Sequence, residues 1–310
     1  MKYKILRILF ILLFTNLFSQ EIDTNKFIFK NSMFFKITKN NNRNLIIYLH
    51  GGVNNPYFKQ NNDDIKLSYI VENNNSFIQS TLENGYDLLI PITNDTLNWL
   101  TNSDKCLDIF KELLDTIPKK YLKLYISGMS DGGTGGYQIF YNHNMFFNGL
   151  IVFNGYPQYN NFYKTVDYSK ITNKKVLFLS TKSDNRIFYE FLLTEYCNQK
   201  KYNANTYFYL INGEHTFSAY QKKDFKIIFD ILKTNNDNTL KIPVQGFIRN
   251  DKLIKFYPYR KKVLKKYGYG KEYFLENKRQ KKVIGKDKNI NLLSLNKTKI
   301  INTLHNRVDD

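Results

Sequence analysis

The stretch from Leu122 to Gly133, LKLYISGMSDGG, constrains the fold more than any other part of the chain. An alternating apolar run breaks abruptly into glycines around one serine, which reads as strand, sharp turn and helix. A serine held at such a turn needs cramped backbone angles. The positions two before and two after it, Gly128 and Gly132, must then lack a Cβ. This geometry lifts the Ser130 hydroxyl clear of a sheet. It also sets the N–H of Asp131 at a helix N-terminus, where developing negative charge is stabilised. A G-x-S-x-G pattern alone is a weak signal, so its weight depends on the residues around it.

Regular alternation surrounds this turn. Phe27-Ile28-Phe29 and Met33 to Ile37 read as an opening antiparallel pair, and Leu45 to Leu49 as a strand buried on both faces. Further strands are expected over 86–92, 149–153, 176–179 and 206–211. Helices are expected over Ser76 to Glu83, Ser103 to Ile117, Ile187 to Cys197 and Phe217 to Leu232, and the Asn-rich, aperiodic stretch from Val53 to Glu72 reads as a surface excursion. Gly135 and Gly136 are expected to let the helix after Ser130 approach neighbouring strands. Strand alternating with helix predicts an α/β fold whose mostly parallel sheet is covered on both faces.

Residues with the chemistry to activate Ser130 lie at strand ends. His215, in NGEHTF after the last strand, is positioned to act as base. Asp184, in the loop after the 176–179 strand, is the acid that would orient it, and its carboxylate can also cap the helix starting near Ile187. Glu190 and Glu195 fall within that helix and are poorer choices. His50-Gly51-Gly52 comes directly after the 45–49 strand, so Gly52, or else Val53, supplies a backbone N–H opposite that of Asp131. His50 itself reads as structural, bonded to its own loop.

His50-Gly51-Gly52, Gly128-x-Ser130-x-Gly132, Asp184 and His215, in that order, resemble the α/β-hydrolase superfamily. The Gly-Met-Ser-Asp-Gly-Gly turn, the Trp99 loop and the Gly-Glu-His-Thr-Phe ending are most similar to secreted esterases of the feruloyl esterase and polyhydroxybutyrate depolymerase type, and to the prolyl oligopeptidase catalytic domain. The resemblance implies an eight-stranded, mostly parallel sheet and acyl-enzyme hydrolysis of a small-molecule or polymer ester, without metal or cofactor. Peptide cleavage by the same groups, or a non-catalytic binding protein on the same fold, are the alternatives.

The chain divides into three regions. Residues 1–20 carry a basic start, an apolar run from Ile8 to Phe14 and a polar end, the layout of a signal peptide. That run is far short of the ~20 residues that span a bilayer, so export to the periplasm or outside the cell is expected, with no anchor left after cleavage. Residues 25–236 form the hydrolase-like domain. Residues 240–310 hold 19 Lys and Arg against 6 Asp and Glu, and so contribute most of the net charge of +19. They read as a basic accessory region, β-rich or partly ordered, able to associate weakly with anionic surface polymers. Abundant Lys, Asn, Ile, Tyr and Phe point to a coding bias that weakens any case for a specific nucleic-acid partner. Only Cys106 and Cys197 are present, and sequence leaves their pairing open.

Overall fold

The computed structural model describes residues 22–234, apart from Asn40, Asn54, Asn144, residues 156–166 and scattered positions between 185 and 204. The expected leader (residues 1–20) and basic region (240–310) lie outside the described residues, as do Cys197 and much of the stretch expected to hold the 187–197 helix.

Eight strands form one sheet: β1 (Ile22–Phe29), β2 (Ser32–Lys39), β3 (Asn44–Leu49), β4 (Tyr86–Pro91), β5 (Lys123–Met129), β6 (Gly149–Phe153), β7 (Lys175–Thr181) and β8 (Thr206–Ile211). Their spatial order is β1-β2-β4-β3-β5-β6-β7-β8. The β1–β2 and β2–β4 pairs are antiparallel and every later pair is parallel. The antiparallel entry arises from the tight turn at Lys30 and Asn31, both with positive φ. Each parallel pair beyond it needs a crossover.

Those crossovers include α1 (Pro56–Gln60), α2 (Asp63–Glu83), α3 (Ser103–Thr116) and α4 (Asp131–Asn142), and α5 (Lys222–Lys233) comes after the last strand. Alternation along the strands sorts them into two layers. Tyr48 of β3 and Phe153 of β6 point to the α2 and α5 side, where Phe77, Phe217 and Phe225 gather in ring contact with one another. Neighbours of opposite parity, Leu49, Ile126 and Leu150, face Gly136 of α4. The strands β3 and β6 are buried on both sides, which explains their continuous apolar runs.

Three expectations need correction. The stretch before Ser76 is helical from Asp63 onward, with Asn62 capping it by accepting the Ile65 N–H at 3.0 Å. Its buried side carries polar residues that hide the helical period. Lys66 reaches Asp63 and the Thr93 carbonyl, Asn74 accepts from the Tyr48 hydroxyl at 2.8 Å, and Thr81 donates to the Phe77 carbonyl. The helix expected from Phe217 to Leu232 is divided. A 3-10 turn covers Phe217–Ala219, Tyr220 is extended, and α5 begins after Gln221 with a reciprocal Gln221 and Asp224 cap.

Gly135 also has a different neighbour from the one expected. A Cβ there would stand 2.7 Å from Cβ and Cγ of Trp99, so the close approach admits an indole, not a strand. On the same side, Cys106 of α3 is a buried free thiol, and burial pushes its pKa up to about 12. A Cys197→Ser protein, with Cys106 as its one thiol, is therefore expected to resist iodoacetamide at pH 8 when native and to react promptly in denaturant. Rapid native labelling would place Cys106 outside the core.

Candidate active site

The parallel strands β3, β5, β6, β7 and β8 end at the same edge of the sheet, and the loops beyond those ends assemble the site. After β5 the chain turns at Ser130, whose φ of 56° and ψ of −122° lie where side chains are strained. The flanking glycines are needed for close approach. A Cβ on Gly128 would overlap the Gly132 backbone, and one on Gly132 would overlap the Leu49 carbonyl. The turn is further tied by the Ser130 N–H, which donates to the Phe153 carbonyl at 2.9 Å.

After β8, the loop carrying His215 returns over this turn. His215 Nε2 lies 2.8 Å from Ser130 Oγ, and its Nδ1 lies 2.6 Å from Asp184 Oδ2. A carboxylate only accepts, so Nδ1 carries the ring proton and Nε2 is left to accept from the serine hydroxyl. Asp184 stands beyond β7 and is buried. Its other oxygen accepts the backbone N–H groups of Arg186 and Ile187, each at 2.8 Å. One oxygen of Asp184 thus meets His215, and the other holds the two backbone N–H groups that follow it in the chain.

The loop after β3 closes the other side. A Cβ on Gly51 would stand 3.0 Å from Ser130 Cβ and 3.7 Å from its Oγ, so the Gly51–Gly52 peptide runs beside the hydroxyl. Gly52 has φ of 74°, a left-handed angle that lets the chain turn there. Asp131 opens α4, placing its N–H in the first turn of that helix. Ser130, Asp131, Gly52, Asp184 and His215 are therefore brought to one place.

His50 faces away from it. Its Nδ1 donates to the Gly51 carbonyl at 2.8 Å and its Nε2 accepts the Thr93 N–H at 3.1 Å. Its ring stacks on Phe58 and meets the Trp99 edge. It is a strut under the Gly51–Gly52 turn, and burial holds its imidazole pKa down at about 4.

The end of β6 carries groups that no motif marked. Asn154 and, from beyond His215, Tyr220 are buried against Asp184. The one available signal was Asn154-Gly155 at a strand end, level with the serine turn.

Comparison with solved structures gives the arrangement its place. An esterase from Pyrococcus furiosus superposes with a TM-score of 0.51 at 14% identity, over 69% of this chain and 93% of that one. The chain has the α/β-hydrolase fold. A fluorophosphonate-binding serine hydrolase from Staphylococcus aureus shares this hydrolase fold at a TM-score of 0.50 and 12% identity, over 69% of this chain and 99% of that one. Acylaminoacyl peptidase from Pyrococcus horikoshii does so at 0.50 and 16%, over 73% of this chain but 44% of the peptidase. No protein-family model and no curated protein matches the sequence. At these identities the likeness is one of fold.

The geometry makes two outcomes measurable. Glycine adopts the Ser130 angles without strain, so Ser130→Gly should unfold at higher denaturant than Ser130→Ala, by about 1 kcal/mol. Equal stabilities would mean that the turn is not strained. For His50, the folded value of about 4 lies below the ordinary imidazole value of 6.5, so between the two only the unfolded chain takes up the proton. Stability is therefore lost as pH falls through that window, by on the order of 3 kcal/mol. His50→Gln should show a correspondingly shallower loss, measured as the difference between wild-type and variant denaturation curves from pH 7 to pH 4.

Proposed function

We propose that the protein is a serine hydrolase that cleaves carboxylic esters through an acyl-enzyme. The observation that carries this reading is the pair of contacts His215 makes, to Ser130 Oγ at 2.8 Å and to Asp184 Oδ2 at 2.6 Å, at the C-terminal edge of a parallel sheet.

Ser130 Oγ attacks the ester carbonyl carbon and its proton passes to His215 Nε2. Asp184 stabilises the resulting imidazolium and keeps the ring oriented. The carbonyl oxygen becomes an oxyanion, received by the N–H groups of Gly52 and Asp131. Collapse expels the alcohol, which takes the proton from His215. Water then attacks the acyl carbon with His215 again as base, and Ser130 regains its proton as the acid leaves. Every proton has a donor and an acceptor within the site, so the sequence of steps balances. Esters are favoured over peptides because an alkoxide leaves more readily than the nitrogen anion of an amide.

Ser130→Ala should lose hydrolysis of a p-nitrophenyl ester by several orders of magnitude with the fold intact, and should escape labelling by a fluorophosphonate that marks the wild type once. Retention of more than about a tenth of the wild-type rate by the purified variant would refute the assignment. A wild-type protein that neither hydrolyses esters nor takes the label would instead be a binding protein on this fold.

A further inference from the structure

Asp184 has more partners than a histidine-orienting acid requires. Its Oδ2, already 2.6 Å from His215 Nδ1, also accepts from Asn154 Nδ2 at 2.6 Å. With the Arg186 and Ile187 N–H groups on Oδ1, the carboxylate has four donors, two on each oxygen. Asn154 is itself fully engaged. Its second amide hydrogen goes to Thr181 Oγ1 at 2.6 Å, and the Thr181 hydroxyl donates onward to the Glu214 carbonyl at 2.9 Å. On its other side, the Tyr220 hydroxyl donates to Asn154 Oδ1.

This network decides which way the amide faces. Asp184 can only accept, and Thr181 has given its proton to Glu214, so both present acceptors and call for the NH2 end. Tyr220 supplies the donor that the carbonyl end needs. Burial, with Asp184 and Asp224 nearby, raises the Tyr220 phenol well above its ordinary value, so it keeps that proton. All of these side chains are buried, where each bond is worth more than in water and each missing one costs more.

The backbone supports the same reading. Asn154 has φ of 45°, and Ser130 is the one other described non-glycine residue with positive φ outside the Lys30-Asn31 turn. The two stand at the ends of the adjacent strands β6 and β5. Asparagine tolerates this region better than most residues, and the Asn154 N–H is tied to the Leu179 carbonyl at 2.8 Å. The strain is thus held at a residue whose side chain meets the acid.

We infer that Asn154, oriented by Tyr220, is a positioning residue: it fixes Asp184 Oδ2 on His215 Nδ1 and so keeps the imidazole aimed at Ser130. Tyr220 lies five residues beyond His215, so one tyrosine ties the segment after the histidine to the β6 end and to the acid together. The inference rests on the proposed serine-hydrolase reading and adds two residues to it.

The test uses Asn154→Gly, which keeps the backbone angle accessible while removing the amide, and Tyr220→Phe, which removes one hydroxyl. Thermal unfolding establishes that each is folded. With a p-nitrophenyl ester, Asn154→Gly should lower kcat about tenfold or more with KM within about twofold of wild type, and Tyr220→Phe should do so to a lesser degree. Because Asn154 acts through Asp184, adding Asn154→Gly to Asp184→Asn should cost nothing further. The low-field proton resonance of His215 Nδ1–H should move in both single variants. An unmoved resonance, or losses that multiply in the double variant, would overturn the inference. Loss of the serine-hydrolase reading looks different: a wild type without Ser130-dependent hydrolysis removes that reading, while the resonance still decides whether Asn154 positions the pair.

Discussion

The approach of the Ser130 turn to the end of β3 is the contact on which the rest of the site depends. Gly132 sits so close to the Leu49 carbonyl that no side chain fits, and Gly128 sits equally close to Gly132. This lets α4 start directly behind the serine. The Ser130 N–H bonded to the Phe153 carbonyl ties the same turn to β6. A strained serine conformation persists because three strand ends hold it from both sides. Moving any of them would swing the hydroxyl away from His215.

A second constraint is the burial of a charge. The Asp184 side chain is 0% exposed and that of His215 only 8%, so no bulk water solvates the carboxylate. Four protein donors replace it, and without them the anion would be costly to keep inside. Beneath this polar layer lies an aromatic one. Phe77, Phe153, Phe217 and Phe225 pack in mutual contact, and Tyr220 touches Phe153, Phe217 and Phe225 while its hydroxyl reaches Asn154. The same ring thus belongs to the core on one side and to the acid's hydrogen-bond network on the other.

Much of this is legible in one dimension. Eight apolar runs mark the eight strands, and those buried on both faces, such as β3 and β6, are apolar throughout, whereas the exposed first half of β1 carries no such mark. Ser130 is marked by glycines whose absence of a Cβ is an absolute steric demand. Asp184 and His215 stand out because strand ends at one edge of a parallel sheet collect polar groups. The part of α2 from Asp63 to Asn75 is hidden for an equally physical reason. Lys66 and Asn74 occupy its buried side, satisfied by Thr93 and Tyr48, and periodicity counts only apolar residues.

What the sequence determined by itself was therefore whatever rests on local sterics and on burial pattern: the serine turn, the order of strands and helices, and the strand ends that carry Asp184 and His215. What only the tertiary structure decided was partnership between residues far apart in the chain. Asn154 meets Asp184 across 30 positions and Tyr220 across 66, Gly135 makes room for Trp99 instead of a strand, and His50 turns its ring to Thr93 and away from Ser130. Such contacts leave no periodic or compositional trace. A hydrogen bond needs one donor and one acceptor in the right place, and that place exists only once the sheet has formed.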